Sequence, residues 1–336
     1  MIESLMVLAL ALVVVYFAAD MFTNALEHMG ERIGVSEGVT GSLFAAVGTA
    51  MPETIVPVVA ILAGGAAESV NREVGLGAII GAPFMLATLS IGMMATAAGL
   101  KRGWLQPMTP EPSGLERDLR TFIFAFLVVI VAALLPDTWS EAKIIFSSLL
   151  FVTYFFYVLK TINASRSLVD QGHATEADDP LTLARFLGDA TAVVILQLLI
   201  GLLLLVGGAK LFVHGVEAAS EILQVSPLIV SLLIVPVATE LPEKINSILW
   251  IRKGRDTLAF GNVTGAMVFQ GTIIPGIGML LMPWNLHDSH AALAVVLALA
   301  GNLMLLLLFR KEMIKPLYLS GNMLLYAIFV AYVVFG

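Results

Sequence analysis

Gly48-Thr49-Ala50-Met51-Pro52-Glu53 and Ala238-Thr239-Glu240-Leu241-Pro242-Glu243 lie 190 positions apart, each inside a long apolar stretch, with Thr, Pro and Glu in register. A carboxylate deep in a lipid-spanning segment is costly and marks a functional position. A proline just before it frees backbone carbonyls that can face an ion. Two such devices in matching halves of one chain point to a transporter built from repeats.

The bulk of the 336 residues agrees with this reading: 59% are hydrophobic and 13% charged, whereas charged residues make up about a quarter of soluble domains. The composition is that of an integral membrane protein. There is no room for a sizeable soluble module, because almost every stretch between charge clusters is apolar for roughly 15 to 25 residues. Cysteine is absent, which excludes disulfides, thiolate metal sites and cysteine catalysis. The net charge of −7 is scattered over loops and forms no patch, so nucleic-acid binding has no support. The N-terminus lacks the basic region of a signal peptide, and Leu5 to Ala19 is expected to be retained as the first span.

Apolar runs between polar breaks predict ten spans, at about 5–28, 38–64, 74–100, 119–136, 144–160, 190–213, 228–251, 257–283, 291–309 and 316–335. The predicted fold is all-α and integral to the membrane. A first five-helix repeat covers 1–162, a linker loop 163–189 and a second five-helix repeat 190–336. The loops after the odd-numbered spans share one side and carry Arg32, Lys101, Arg102, Arg117, Arg120, Lys160, Arg166, Arg185, Arg252, Lys253, Arg255, Arg310, Lys311 and Lys315. The other side has Arg72 and Lys143. That asymmetry makes the linker cytoplasmic and both termini extracytoplasmic, in a prokaryotic inner membrane. An odd number of spans per repeat inverts the second half relative to the first.

The repeat is legible by eye. A shift of 190 superposes Ala19 on Ala209, Phe22 on Phe212, Val35-Ser36 on Val225-Ser226, Val47 on Val237 and Thr49 on Thr239, as well as the Pro-Glu pairs. A shift of 184 then brings Gly77 onto Gly261 and Gly81-Ala82 onto Gly265-Ala266. The paired hairpins, with small residues that allow close helix packing, surround a central site.

These residues resemble the Ca2+/cation antiporter superfamily, most closely its sodium/calcium exchanger branch. The family's two repeats have the pattern G-T-S-x-P-E followed by G-N-x-x-G-S-N-x-x-(N or D). Here the second part reads Gly77-Ala78-Ile79-Ile80-Gly81-Ala82-Pro83-Phe84-Met85-Leu86 in one half and Gly261-Asn262-Val263-Thr264-Gly265-Ala266-Met267-Val268-Phe269-Gln270 in the other. The resemblance implies an exchanger-like fold and a mid-membrane Ca2+ site made by Glu53, Glu243 and the carbonyls of Thr49 and Thr239. Gln270 holds the position that lies in the middle of the family's cluster. Independently of any resemblance, a hard divalent ion wants six to eight oxygens at roughly 2.3–2.6 Å, and two carboxylates plus freed carbonyls can supply them. The bland alternative is that Glu53 and Glu243 are neutral or paired carboxylates serving helix packing.

Departures from the pattern bear on the coupling ion. Ala50, Ala82 and Ala266 stand where the family has serines that complete Na+ sites, Glu240 stands at the fourth such position, and Leu86 ends the first motif. An alanine methyl cannot ligate a cation. Glu240 and Lys244 are spaced i,i+4 with the acid first, the favourable order for an ion pair. Two readings stand open: Lys244 is a tethered cation or Glu240 carries the coupling proton, or the two form a structural pair. Asp20 and Lys210 occupy equivalent repeat positions, as do Asn24 and His214. They read either as gates on helices that slide past the core or as snorkelling and hydrogen-bonding groups near the interface. His287-Asp288-Ser289-His290 reads as a solvated turn.

The expected function is secondary-active antiport of Ca2+, or a related divalent cation, against H+ or Na+ by alternating access. Two alternatives are a relative carrying another cation with Lys244 in the divalent site, and a membrane sensor that binds without transport. An enzyme is not expected, since no nucleophile or cofactor motif accompanies the glutamates. The expected partners are the transported inorganic cations and the lipid bilayer, with no cofactor, and a monomer is sufficient for transport.

Overall fold

The apolar runs become helices because in lipid each backbone N–H and C=O has to be paired within its own segment. A computed structural model describes residues 2–32, 51–63, 66–136, 138–169 and 180–335; Thr49 and the side chain of Glu243 lie outside this description. Among the described residues every regular element is a helix. In chain order these are α1 (Ile2–Arg32), α2 (Met51–Ala63), α3 (Glu68–Met85), a π-helical turn at Leu86–Ser90, α4 (Ile91–Arg102), α5 (Pro112–Leu134), α6 (Ser140–Val169), α7 (Ala184–Leu187), α8 (Thr191–Leu223), α9 (Pro227–Arg252), α10 (Asp256–Leu281), α11 (Ser289–Arg310), α12 (Pro316–Leu319) and α13 (Gly321–Phe335). Seven helical stretches among them are long and apolar enough to cross a membrane, and two shorter apolar helices span Pro52–Leu62 and Pro227–Val237.

One expectation needs correction: helix α6 continues to Val169, into the stretch read as linker. The prolines expected to free carbonyls do so without breaking α9, since Pro236 and Pro242 both sit inside one continuous helix. Each proline lacks an N–H, so the carbonyls of Leu232 and Ala238, four residues earlier, lose their helical partner without interrupting the helix. The helix ends are set by local chemistry. Glu111 caps α5, accepting from the N–H groups of Ser113 at 2.8 Å and Gly114 at 2.6 Å, ahead of Pro112 in the first turn. Asp288, in the predicted turn, caps α11 through the N–H groups of His290 and Ala291.

The two largest of four apolar clusters among the described residues share helices α3 and α9. One joins α1, α2, α3, α8 and α9; the other joins α3, α9 and α10 to α4, α5, α11 and α13. Helices α3 and α9 belong to both, and they meet backbone to backbone. A Cβ built on Gly77 would come within 2.5 Å of the Leu228 carbonyl oxygen, and one on Gly81 within 2.3 Å of the Leu232 carbonyl oxygen. Ser231 ties the crossing by donating to the Val74 carbonyl at 2.7 Å. Small residues at such a crossing replace the hydrophobic drive that lipid cannot supply.

On one flank, α1 and α8 form an antiparallel pair. Gly201, Gly208 and Gly215 lie against Phe22, Val15 and Leu8, so both helices repeat every seven residues along one seam. The preserved end of the linker docks on this pair: Asn24 Oδ1 accepts from Thr182 N at 3.0 Å and Gln197 Nε2 at 2.9 Å. At the Lys/Arg-rich end, Arg102 forks onto Asp256 at 2.8 and 3.2 Å, and Thr109 N donates to the same carboxylate at 2.7 Å. This clamps the end of α4 to the start of α10. The α3–α9 contact yields the first prediction. Gly81→Ala should lower the thermal unfolding midpoint in detergent, by the equivalent of about 1–3 kcal/mol for overpacking. Gly207→Ala, whose Cβ meets nothing within 4 Å, should leave the midpoint unchanged or raise it, so equal effects at both sites would contradict the crossing.

Candidate functional site

Depth along α9 is set where Gly81 packs against Leu232 and Pro236; Thr239, Glu240 and Lys244 follow on the next two turns. The side chains of all three are buried, Glu240 to 2% and Lys244 to 1% exposure. Lys244 Nζ lies 3.0 Å from Glu240 Oε2, the i,i+4 pair expected from the spacing. Across the interface, Gln270 of α10 donates its Nε2 to Glu240 Oε1. Both oxygens of Glu240 are therefore engaged. Burying two charges is tolerable only because they meet.

Gln270 is 2% exposed, and its Oε1 has no hydrogen-bond partner among the described residues. A buried amide oxygen without a donor is rare, and an oxygen of that kind suits a hard cation. Thr239 donates its hydroxyl to the Val235 carbonyl at 2.9 Å; the carbonyl that Pro242 frees is that of Ala238, one residue earlier on the same continuous helix. Glu53 sits in the first turn of α2, 3% exposed. Its neighbour Thr54 lines a small void together with Ile274 and Ile277 of α10. Ile274 stands one turn beyond Gln270, so α2 and α10 bring Glu53 and Gln270 to the same region of the bundle.

Of the sequence-predicted site residues, the structure thus joins Glu240, Lys244 and Gln270 directly, with Thr239 on the adjoining turn and Glu53 on the facing helix. Thr49 and the Glu243 side chain lie outside the described residues. Asp20 and Lys210 are exposed on α1 and α8 and have no hydrogen bond or ion pair to this cluster among the described residues. Asn24 holds the linker end. His214 is 3.8 Å from Glu217 on its own helix. Leu86, the last residue of the first motif, is fully buried in the apolar cluster, so that position contributes no ligand. Among the described residues no group of three or more His, Cys, Asp or Glu side chains gathers as a metal centre.

One polar group was missed. Asp118, 4% exposed near the start of α5, accepts from Thr264 Oγ1 at 2.7 Å and Tyr157 Oη at 3.1 Å, with Arg117 Nε 3.7 Å away. It links α5, α6 and α10 six residues before Gln270. The only signal in the sequence was a carboxylate at the edge of an apolar run, next to an arginine that looked sufficient to keep it in water.

A helical membrane bundle with Glu240, Lys244 and Gln270 buried together at a helix crossing invites comparison with known proteins. The chain is 26% identical over 331 residues to the sodium/calcium exchanger MaX1 of Methanosarcina acetivorans, covering 90% of each protein. It is 25% identical over 277 residues to the inner membrane protein YrbG of Escherichia coli, covering 82% of this chain and 79% of that protein. Its fold superposes on the crystal structure of the H+/Ca2+ exchanger CAX with a TM-score of 0.71 at 16% identity, over 99% of this chain and 82% of that one. The family model described as "Sodium/calcium exchanger protein" matches residues 3–162 and 193–335, nearly the whole of both halves that carry the two motifs. The chain is therefore an integral membrane protein of the sodium/calcium exchanger family.

Proposed function

We propose that the protein is a secondary-active antiporter that exchanges Ca2+, or a related divalent cation, for protons by alternating access. In this reading ten spans form two inverted five-helix repeats, 1–162 and 190–336, joined by the linker 163–189 on the cytoplasmic side. The membership of its family and the name of the relative MaX1 support cation exchange. The observation that carries the reading is Glu240, buried between Lys244 and Gln270.

Glu240 stands where the family pattern has a serine that helps to ligate Na+, and an ammonium of the chain itself lies 3.0 Å from it. That position is already filled by an internal cation. Ala50, Ala82 and Ala266 remove hydroxyls at the other three. The divalent ion then falls to Glu53 and Glu243, with the Gln270 Oε1 and the carbonyls of Thr49 and Thr239 completing its shell. Two carboxylates neutralise one divalent cation, and they release it on accepting two protons, with no Na+ ligand required. A second reading is favoured by the near-complete burial of Lys244: the ammonium blocks the divalent position permanently, and the protein carries another cation.

Three measurements on the protein in vesicles test these statements. Glu53→Gln and Glu243→Gln should each bring divalent uptake down to background while the protein still folds; normal flux in either refutes the site. A pH gradient should drive divalent uptake several-fold faster than an equal Na+ gradient in the native protein, and Na+-driven uptake insensitive to pH would overturn proton coupling. The double variant Glu240→Ser/Lys244→Met removes both charges together and avoids the penalty of about 3–5 kcal/mol for leaving one of them buried alone. Under the first reading it keeps proton-driven divalent flux, because Glu53 and Glu243 are untouched. Divalent flux that is absent in the native protein and arises only in this double variant would establish the second reading.

A further inference from the structure

The face between α5 and α6 carries a groove of about 940 Å3, and Arg310 reaches its rim at Glu116. Its rim is basic. Arg117, Arg120 and Lys160 line it against a single carboxylate, Glu116. Glu116 is already shared: it is 2.6 Å from Arg120 and 3.9 Å from Arg310. Among the described residues Lys160 has no ion pair, and the Arg117 side chain makes no hydrogen bond. The Arg117 guanidinium rests 5.9 Å over the Tyr157 ring, and its buried Nε lies 3.7 Å from Asp118 without a hydrogen bond among the described residues. Deeper in, the groove turns apolar, with Phe124, Leu149 and Phe156 as its walls. Phe124 and Phe156 are 46% and 55% exposed, facing outward from the bundle.

A cationic rim above an apolar slot on a lipid-facing surface matches one chemical class: an amphiphile with an anionic phosphate head and hydrocarbon tails. We propose that this groove is a specific binding site for one anionic phospholipid. The phosphate is held by Arg117, Arg120 and Lys160, and an acyl chain lies along Phe124 and Leu149. Charge complementarity singles out the occupant. A zwitterionic lipid would bring its own ammonium into a rim with three cations and one already shared carboxylate, and a free anion would draw nothing from the apolar walls. Because Arg117 also leans on Asp118, which receives the Thr264 hydroxyl of α10 at 2.7 Å, lipid occupancy touches the helix that carries Gln270.

The test uses the full chain, purified in neutral detergent and stripped of lipid. Phosphatidylglycerol, phosphatidylcholine with the same chains, or glycerol phosphate is then added, with native mass spectrometry and thermal unfolding as readouts. Phosphatidylglycerol should be retained as a single adduct and should raise the unfolding midpoint; the other two should do neither. Arg120→Gln/Lys160→Gln alters two exposed side chains, so its midpoint without lipid should match the native protein. Its affinity for phosphatidylglycerol should fall about tenfold or more. Leu149→Trp, which fills the apolar slot and keeps every charge, should also lose the adduct. Equal retention of the two lipids, native-like retention by Arg120→Gln/Lys160→Gln, or protection by glycerol phosphate as strong as by the lipid would each overturn the proposal.

Discussion

The close crossing of α3 and α9 is the constraint on which the rest of the molecule depends. Inside a bilayer, helices gain nothing by hiding apolar surface from lipid tails, so they adhere through van der Waals contact, and that requires backbones to approach. Gly77 and Gly81 permit this approach, and the Ser231 hydroxyl bonded to the Val74 carbonyl pins its register. Because both helices also belong to both apolar clusters, the crossing joins the α1–α8 flank to the α5–α10–α11 body. It also sets the depth of α9, and with it the depth of Glu240 and Lys244.

A buried ion pair is weak evidence for stability but strong evidence about options. Glu240 faces the Lys244 ammonium on one side and accepts from Gln270 on the other, so an incoming cation would meet a carboxylate already paired with an internal cation. The geometry therefore couples three events that would otherwise be separate: a change in the charge of Glu240, a movement of the Lys244 ammonium and a change in the Gln270 side chain. Any rearrangement of α9 against α10 acts on all three.

The two halves are unequal where their motifs end. In the first half, Leu86 lies in the apolar cluster and opens a π-helical turn, and the carbonyl of Ala87 within that turn is taken by Asn322 Nδ2 at 2.7 Å. In the second half, the matching position is Gln270, which points its amide at Glu240. The first hairpin has thus become packing at this point while the second keeps polar chemistry. In the proposed reading the polar chemistry falls to α9 and α10 more than to α3.

Much of the architecture was written in the one-dimensional pattern. Apolar runs bounded by charge locate the helices because a bilayer forbids unpaired backbone; the repeated Thr-Pro-Glu motif singles out Glu53 and Glu243, and the charged Glu240 and Lys244 stand out beside its second copy because carboxylates and ammonium groups are costly in lipid. The spacing of Glu240 and Lys244 foretold their pairing, since residues four apart share a helix face. Other features depended on partners that are distant in sequence. Gln270 reaching Glu240, Asp118 buried under Thr264 and Tyr157, and Asn24 holding the linker end each arise from contacts across 30 to 158 positions. Local pattern cannot rank those contacts, because burial is decided only when a second helix arrives. The continuity of α9 through two prolines is of the same kind: the local rule counts the lost hydrogen bond, whereas the surrounding helices decide whether the chain bends, breaks or holds straight.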